Sequence, residues 1–202
     1  MFLLSSCGPQ IYKASNINTV ASTHHTVAIL PASVSITLRP NQMKKMSGEN
    51  LYELAQKTGY DVQDKMYGWF LRKGSKFNYS VSFQDINTTN SILNKAGISY
   101  EDLKNFDRGE LASKLGVDAV LDSRIIMDKP MSDGAAIAMQ VLIGTYGTTN
   151  HVHTTVNLYD TKSGTLLWKY DHDVNGSTGS SADQLVNALM RNVSRKLPYR
   201  QS

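Results

Sequence analysis

Apolar positions change their spacing several times along this chain, and each change marks an element. Residues 26–31 form a short, continuous apolar run closed by proline, the pattern of a buried strand near the centre of a sheet. Over 33–39, Val34, Ile36 and Leu38 alternate with polar residues, which extends that strand or forms an adjoining edge. From 48 to 73 the period lengthens. Leu51, Leu54, Ala55, Thr58, Val62, Met66, Trp69 and Phe70 recur at steps of three and four and predict one long amphipathic helix, with a bend at Gly59 and a stop at Gly74. Strict alternation of Phe77, Tyr79, Val81 and Phe83 predicts a half-buried strand.

Two short helices follow. Thr88 or Thr89 is expected to cap the first, with Ile92, Leu93 and Ala96 inward and Gly97 as its stop. Asp107, with Glu110 three residues on, marks a capping box for the second, with Leu111 and Leu115 inward and Gly116 as its end. Residues 117–127 read as the next strand. Residues 151–160 and 165–175 then read as a hairpin around Lys162, Ser163 and Gly164, a three-residue loop with glycine at the left-handed position. That turn sets Thr161 opposite Thr165, Val156 opposite Tyr170, Leu158 opposite Trp168 and Val152 opposite Val174. A slip of one residue would scatter this apolar side. Ser181, with Gln184 three residues on, opens a last helix whose stripe is Leu185, Val186, Leu189, Met190, Val193 and Leu197, closed by Pro198. The order predicts an α/β (α+β) fold over 26–197: a single-domain sandwich of a mixed β-sheet and packed helices.

Composition narrows the class. The chain has 202 residues, 41% hydrophobic and 19% charged, which suits one folded domain. The net charge is +4, and the basic residues stand in scattered short groups such as Lys44-Lys45 and Arg195-Lys196. A nucleic-acid partner would require them gathered on one face, so none is expected. A single cysteine permits no internal disulfide. No stretch of 18 apolar residues offers a transmembrane helix.

That one cysteine, Cys7, follows Leu4-Ser5-Ser6, and the four residues together resemble a bacterial lipobox, where a leader is cut and the cysteine receives lipid. A secretory leader needs a basic start and about 7–15 apolar residues, so the true start is expected upstream, with residues 1–7 the remnant of a signal peptide. Residues 8–25 are polar, small and aperiodic, and read as a flexible tether.

Candidate chemistry is sparse. His151 and His153 share a strand face, and the hairpin register puts His153 opposite Asp173. These three are weak candidates for a metal site, and a surface His–Asp pair is the simpler account. His172 falls on the other face, and His24-His25 fall in the tether. Asp118, Asp122 and Asp128 lie on one side of a strand and read as its wet side rather than as an acid–base set. The sequence contains no GxSxG, HExxH, P-loop or GxGxxG motif. No catalytic residue, cofactor or small-molecule substrate is expected. Residues 131–150 stand apart: an apolar, small-residue insertion between two strands. Ala135, Ile137, Met139, Val141, Leu142 and Ile143 are its candidate contact residues, for packing on the chain's own core, for a second subunit or partner, or for a membrane.

Four stretches taken together (27–31, 87–98, 110–120 and 156–168) resemble the bacterial envelope lipoproteins with a TolB N-terminal-like domain, the group that includes CsgG, LpoB and a neisserial surface-antigen lipoprotein family. The resemblance covers about residues 26–197 together with the lipobox. It implies a non-enzymatic, lipid-anchored protein of the outer membrane, facing the periplasm, with palmitate or a similar acyl chain on Cys7 and an envelope protein or a second copy as partner. Gly8, rather than aspartate, after Cys7 fits outer-membrane sorting in enteric bacteria. CsgG-like members turn strand insertions into barrel hairpins of a pore. This chain has one such insertion where they need two, so an export-pore subunit stands as the alternative, and a metal-dependent envelope enzyme as a third.

Overall fold

A computed structural model describes residues 9–38, 40, 48–130, 149–174 and 182–201. In chain order these form β1 (Gln10–Lys13), α1 (Ile17–Ala21), β2 (Thr26–Ile29), β3 (Ser33–Thr37), α2 (Gly48–Phe77), β4 (Ser82–Phe83), α3 (Ile86–Lys95), a 3-10 turn (Asp102–Asn105), α4 (Arg108–Leu115), β5 (Ala119–Pro130), β6 (Thr149–Asp160), β7 (Leu166–Val174) and α5 (Ala182–Lys196). The seven strands make one mixed sheet in the order β1–β7–β6–β5–β2–β4, with β3 also on β5. β1, β7, β6 and β5 pair antiparallel in succession. β2 and β3 run parallel to β5, one after the other along one edge of it.

Both faces of the sheet are covered at the β2 end, which is why residues 27–30 are apolar without alternation. Val27, Ile29, Ala119, Leu121, Val156, Leu158, Trp168 and Tyr170 pack under Val62, Met66, Trp69 and Phe70 of α2 and Leu189, Met190 and Val193 of α5. Ala28, Leu30 and Val120 point the other way, into a smaller core with Leu93, Leu103, Leu111 and Leu115. Beyond Val120 that face of β5 continues with Asp122, Arg124, Ile126 and Asp128.

The chain crosses from β2 to β3 at Leu30, Pro31 and Ala32, where proline has no N–H for the ladder. α2 and Tyr100 supply the missing partners. Ala32 N–H donates to Gly59 O (3.0 Å), Gln63 Nε2 donates to Ile29 O (2.7 Å), and Tyr100 accepts from Val34 N–H (3.1 Å) while donating to Ala32 O (2.8 Å). Burial pushes the Tyr100 hydroxyl up to about 12. Gly59 therefore serves close approach: a Cβ there would lie 2.4 Å from Ala32 O and 2.6 Å from the Tyr100 ring.

Several local expectations change. The expected tether is structured from Gln10 to Ala21: β1 adds a strand to β7, and Ile17 and Ala21 of α1 are buried. α2 runs through Gly74 to Phe77 and gives way at Asn78, whose φ is +45°. The alternation over 77–83 yields only the two-residue β4. Its aromatic residues instead build a cluster with Phe70, stacked on Phe83 at 4.1 Å and edge-on to Tyr79 at 5.6 Å. Asp85, not a threonine, caps α3, accepting from the N–H groups of Asn87 and Thr88; Ala96 is exposed. Gly97 and Gly116 both take positive φ at helix ends, and Asp107 caps α4 through Glu110 N–H. The hairpin register holds from Val152–Val174 to Leu158–Trp168, then shifts by a bulge, so Tyr159 faces Leu166. The side of β5 read as wet is buried at Val120 beneath α4. The expected Ser181 cap and the 131–148 segment lie outside the described residues.

Candidate functional site

His24 and His25 close the link between α1 and β2, and His24 is drawn into the core. Its Nε2 lies 2.9 Å from Asp160 Oδ1, and its Nδ1 lies 2.6 Å from the Tyr199 hydroxyl. Asp160, the last residue of β6, also accepts from Ser163 N–H (2.7 Å) and Ser163 Oγ (2.6 Å) in the hairpin loop. Burial works to raise the Asp160 carboxyl, but hydrogen bonds from Ser163 and His24 outweigh it and hold it below the usual carboxylate range. An ionised carboxylate only accepts, so Nε2 carries a proton. Burial, with the charges of Asp160 and Asp118, drives the Tyr199 hydroxyl strongly upward, so it stays protonated. Beside this trio, Asp118 Oδ2 accepts the N–H groups of His25 (2.8 Å) and Thr26 (3.0 Å). Three parts of the chain that are remote in sequence meet here with their polar groups paired. Sequence reading missed this because both partners of His24 lie more than a hundred residues away.

The polar sheet face carries the histidine that was expected there. The register sets His153 opposite Asp173 and places His151 opposite Asp128. His153 Nδ1 is 2.7 Å from Asp173 Oδ1, and Nε2 is 2.8 Å from Asp171 Oδ1, a second carboxylate that sequence reading did not name. Asp171 also takes Lys169 Nζ at 2.8 Å and Thr155 Oγ1 at 2.9 Å. Burial acts to raise Asp171, but these donors and the His153 ring hold it low. Both ring nitrogens of His153 thus face carboxylates, and among the described residues no group of His, Cys, Asp or Glu is arranged to hold a metal ion. His172 sits on the other face, edge-on to Tyr170.

Next to this cluster a polar cleft of about 430 Å³ opens between Arg108, Asp122, Arg124, Asn157, Tyr159 and Lys169. Arg108 ties its floor: Nε is 3.3 Å from Asp122 Oδ2, and Nη1 donates to the carbonyls of Leu103 (2.6 Å) and Phe106 (2.8 Å). Asp122, expected on a wet face, is thus engaged in a part-buried ion pair. A larger groove, about 550 Å³, lies at the far end of β1.

Cys7 and the contact residues Ala135, Ile137, Met139, Val141, Leu142 and Ile143 lie outside the described residues. What the structure fixes is where that second segment is mounted. β5 and β6 stay paired to Pro130 and Thr149, beyond the last pair of β3 (Thr37–Asp128) and of β7 (Val174–Val152). Residues 131–148 therefore connect the paired ends of β5 and β6. No helix among the described residues is long and apolar enough to cross a membrane.

The architecture defines the class: a mixed α/β sandwich built on one seven-stranded sheet. No protein-family model and no curated sequence matches the chain. Among solved structures it is similar to the PelC dodecamer from Paraburkholderia phytofirmans, at TM-score 0.50 and 12% identity over 96% of this chain and 99% of that one. It is also similar to lipoprotein GNA1162 from Neisseria meningitidis (TM-score 0.48, 14% identity, 86% of this chain and 97% of that one). A third is E. coli LpoB (TM-score 0.45, 10% identity, 88% and 76%). At these identities the likeness is one of fold.

Proposed function

We propose that this chain is a lipid-anchored, non-enzymatic subunit of a bacterial envelope assembly, held at the outer membrane through Cys7 and working in the periplasm by binding rather than by chemistry. The observation that carries this reading is a fold shared along nearly the whole chain with a protein solved as a dodecamer, joined to a lipobox-like Leu4-Ser5-Ser6-Cys7. The place of the apolar residues 131–148 between the paired ends of β5 and β6 supports their role as the contact with a partner or a second copy.

The test is metabolic labelling with a palmitate analogue and fractionation of cells making the protein with its complete leader. Wild type takes the label and sediments with membranes, while Cys7→Ser is unlabelled and appears in the periplasmic extract. An unlabelled wild type sinks the anchor.

A second reading, a ring-forming subunit of an export pore, is favoured by the dodecameric state of the PelC structure. Mass measurement in detergent decides it: a ring of many copies supports it and a monomer removes it.

A further inference from the structure

The groove at the end of β1 gathers charge that is scattered in the sequence. Lys13 comes from β1, Arg195 and Lys196 from the last turn of α5, and Arg200 from the segment after it. All four are exposed, over a floor that includes buried Ile17 and Leu197, and among the described residues no carboxylate lines the groove. Elsewhere on the described surface several lysines are paired: Lys57 with Asp61, Lys104 with Glu101, Lys114 with Glu110 and Lys169 with Asp171. Among the described residues, Lys13, Arg195 and Lys196 have no such partner, and Arg200 lies over the Phe77 ring at 5.3 Å. Two of the four suit the negative end of a helix dipole. Lys13 and Arg200 do not sit on that helix, so capping leaves them unexplained. Four like charges around one groove repel each other until an anion enters.

We propose that this groove seats the folded body on an anionic phospholipid surface, with headgroup phosphates entering between Lys13, Arg195, Lys196 and Arg200. The inference rests on the lipid anchor at Cys7 and deepens it. A flexible tether over 8–25 would let the body wander about 23 Å from the bilayer. The pairing of Gln10 with Asp171 removes that freedom. Two residues, Gly8 and Pro9, lie between Cys7 and Gln10, and the three chain steps span at most about 11 Å when extended. β1 adds about 10 Å from Gln10 to Lys13. The groove is thus held within about 20 Å of the acylated sulfur, and with β1 lying along the surface its charges come inside the Debye length of about 8 Å.

The experiment uses the full-length Cys7→Ser protein, free of acyl chains, in sedimentation with vesicles. One set is pure phosphatidylcholine; the other has one part phosphatidylglycerol to two parts phosphatidylcholine. The protein should pellet with the anionic set only. K13Q/R195Q/K196Q should weaken that binding by about a hundred-fold, about five-fold for each charge near the surface. K95Q/K114Q/K162Q, equal in net charge, should leave it nearly unchanged. Millimolar inorganic phosphate, against chloride of equal ionic strength, should not displace the protein. Three results overturn the proposal: no preference for anionic vesicles, an equal loss in both triple variants, or displacement by phosphate, which marks a pocket for a discrete anion. Failure here leaves palmitate labelling of Cys7 intact, while failure of the anchor shows in that labelling with vesicle binding unaffected.

Discussion

His24 and Asp160 are joined by a 2.9 Å hydrogen bond across 136 positions of chain, and this contact fastens the N-terminal segment to the β6–β7 hairpin. With Tyr199 on the other ring nitrogen, the same histidine also holds the C-terminal end. Removing Asp160 by Asp160→Asn sets an amide against donors from Ser163 and His24. The expected cost is about 1–3 kcal/mol, read as a fall in Tm of about 3–10 °C.

Acid sensitivity follows from the same carboxylate. Asp160, Asp118 and Asp171 are all held below the usual range in the folded protein, each against the upward pull of burial. A lowered carboxylate contributes stability that is fully present above its unfolded pKa of about 3.9 and is lost as pH falls through the folded value. The wild type should therefore lose stability steeply below about pH 4. The gap between wild type and Asp160→Asn should narrow as pH drops through that window, which thermal melts across the acid range will show. A gap independent of pH would contradict the assignment.

Two glycines of α2 should respond with opposite sign. Alanine in a helix interior is favoured over glycine by about 1 kcal/mol. At Gly59 the added methyl meets the Ala32 carbonyl and the Tyr100 ring, so Gly59→Ala should destabilise by about 1–3 kcal/mol through overpacking. At Gly68 it meets only the flexible end of Arg72, at 3.2 Å, so Gly68→Ala should stabilise. Chemical denaturation of the pair gives both signs.

Arg108 links the 3-10 turn and α4 to β5 through two carbonyls and Asp122. Arg108→Gln should cost about 1–3 kcal/mol, because it leaves a part-buried carboxylate and two carbonyls short of donors. Amide exchange over residues 99–107 should quicken while that of β6 and β7 stays unchanged.

Replacing residues 131–148 by an Asn-Gly turn joins strands that are already paired at Pro130 and Thr149. The shortened protein should keep its Tm within a few degrees. If the segment makes the subunit contact, light scattering should report a smaller species than the wild type. An unchanged assembly would move the contact elsewhere.

Much of the frame could be read directly. The hairpin register from Val152 to Leu158 was legible because side chains alternate with period two and the glycine-third loop fixes the offset, so two independent signals agree. The stripe of α2 and the Gly97 and Gly116 stops were legible for similar local reasons. Residues 10–25 were not. β1 joins the sheet through backbone groups, which any polar sequence carries, and its side chains are mostly exposed. The aromatic alternation over 77–83 misled because a cluster around Phe70 satisfies the same spacing as a strand.

By itself the sequence determined the α/β class, the long helix, the central hairpin and the lipobox-like start, because period, turn chemistry and short motifs are properties of neighbouring residues. The burial of His24 between Asp160 and Tyr199, the close approach at Gly59 and the gathering of Lys13 with Arg195, Lys196 and Arg200 were decided only by the tertiary structure. Each depends on groups far apart in the chain being brought within a few ångströms, and no local pattern encodes that distance.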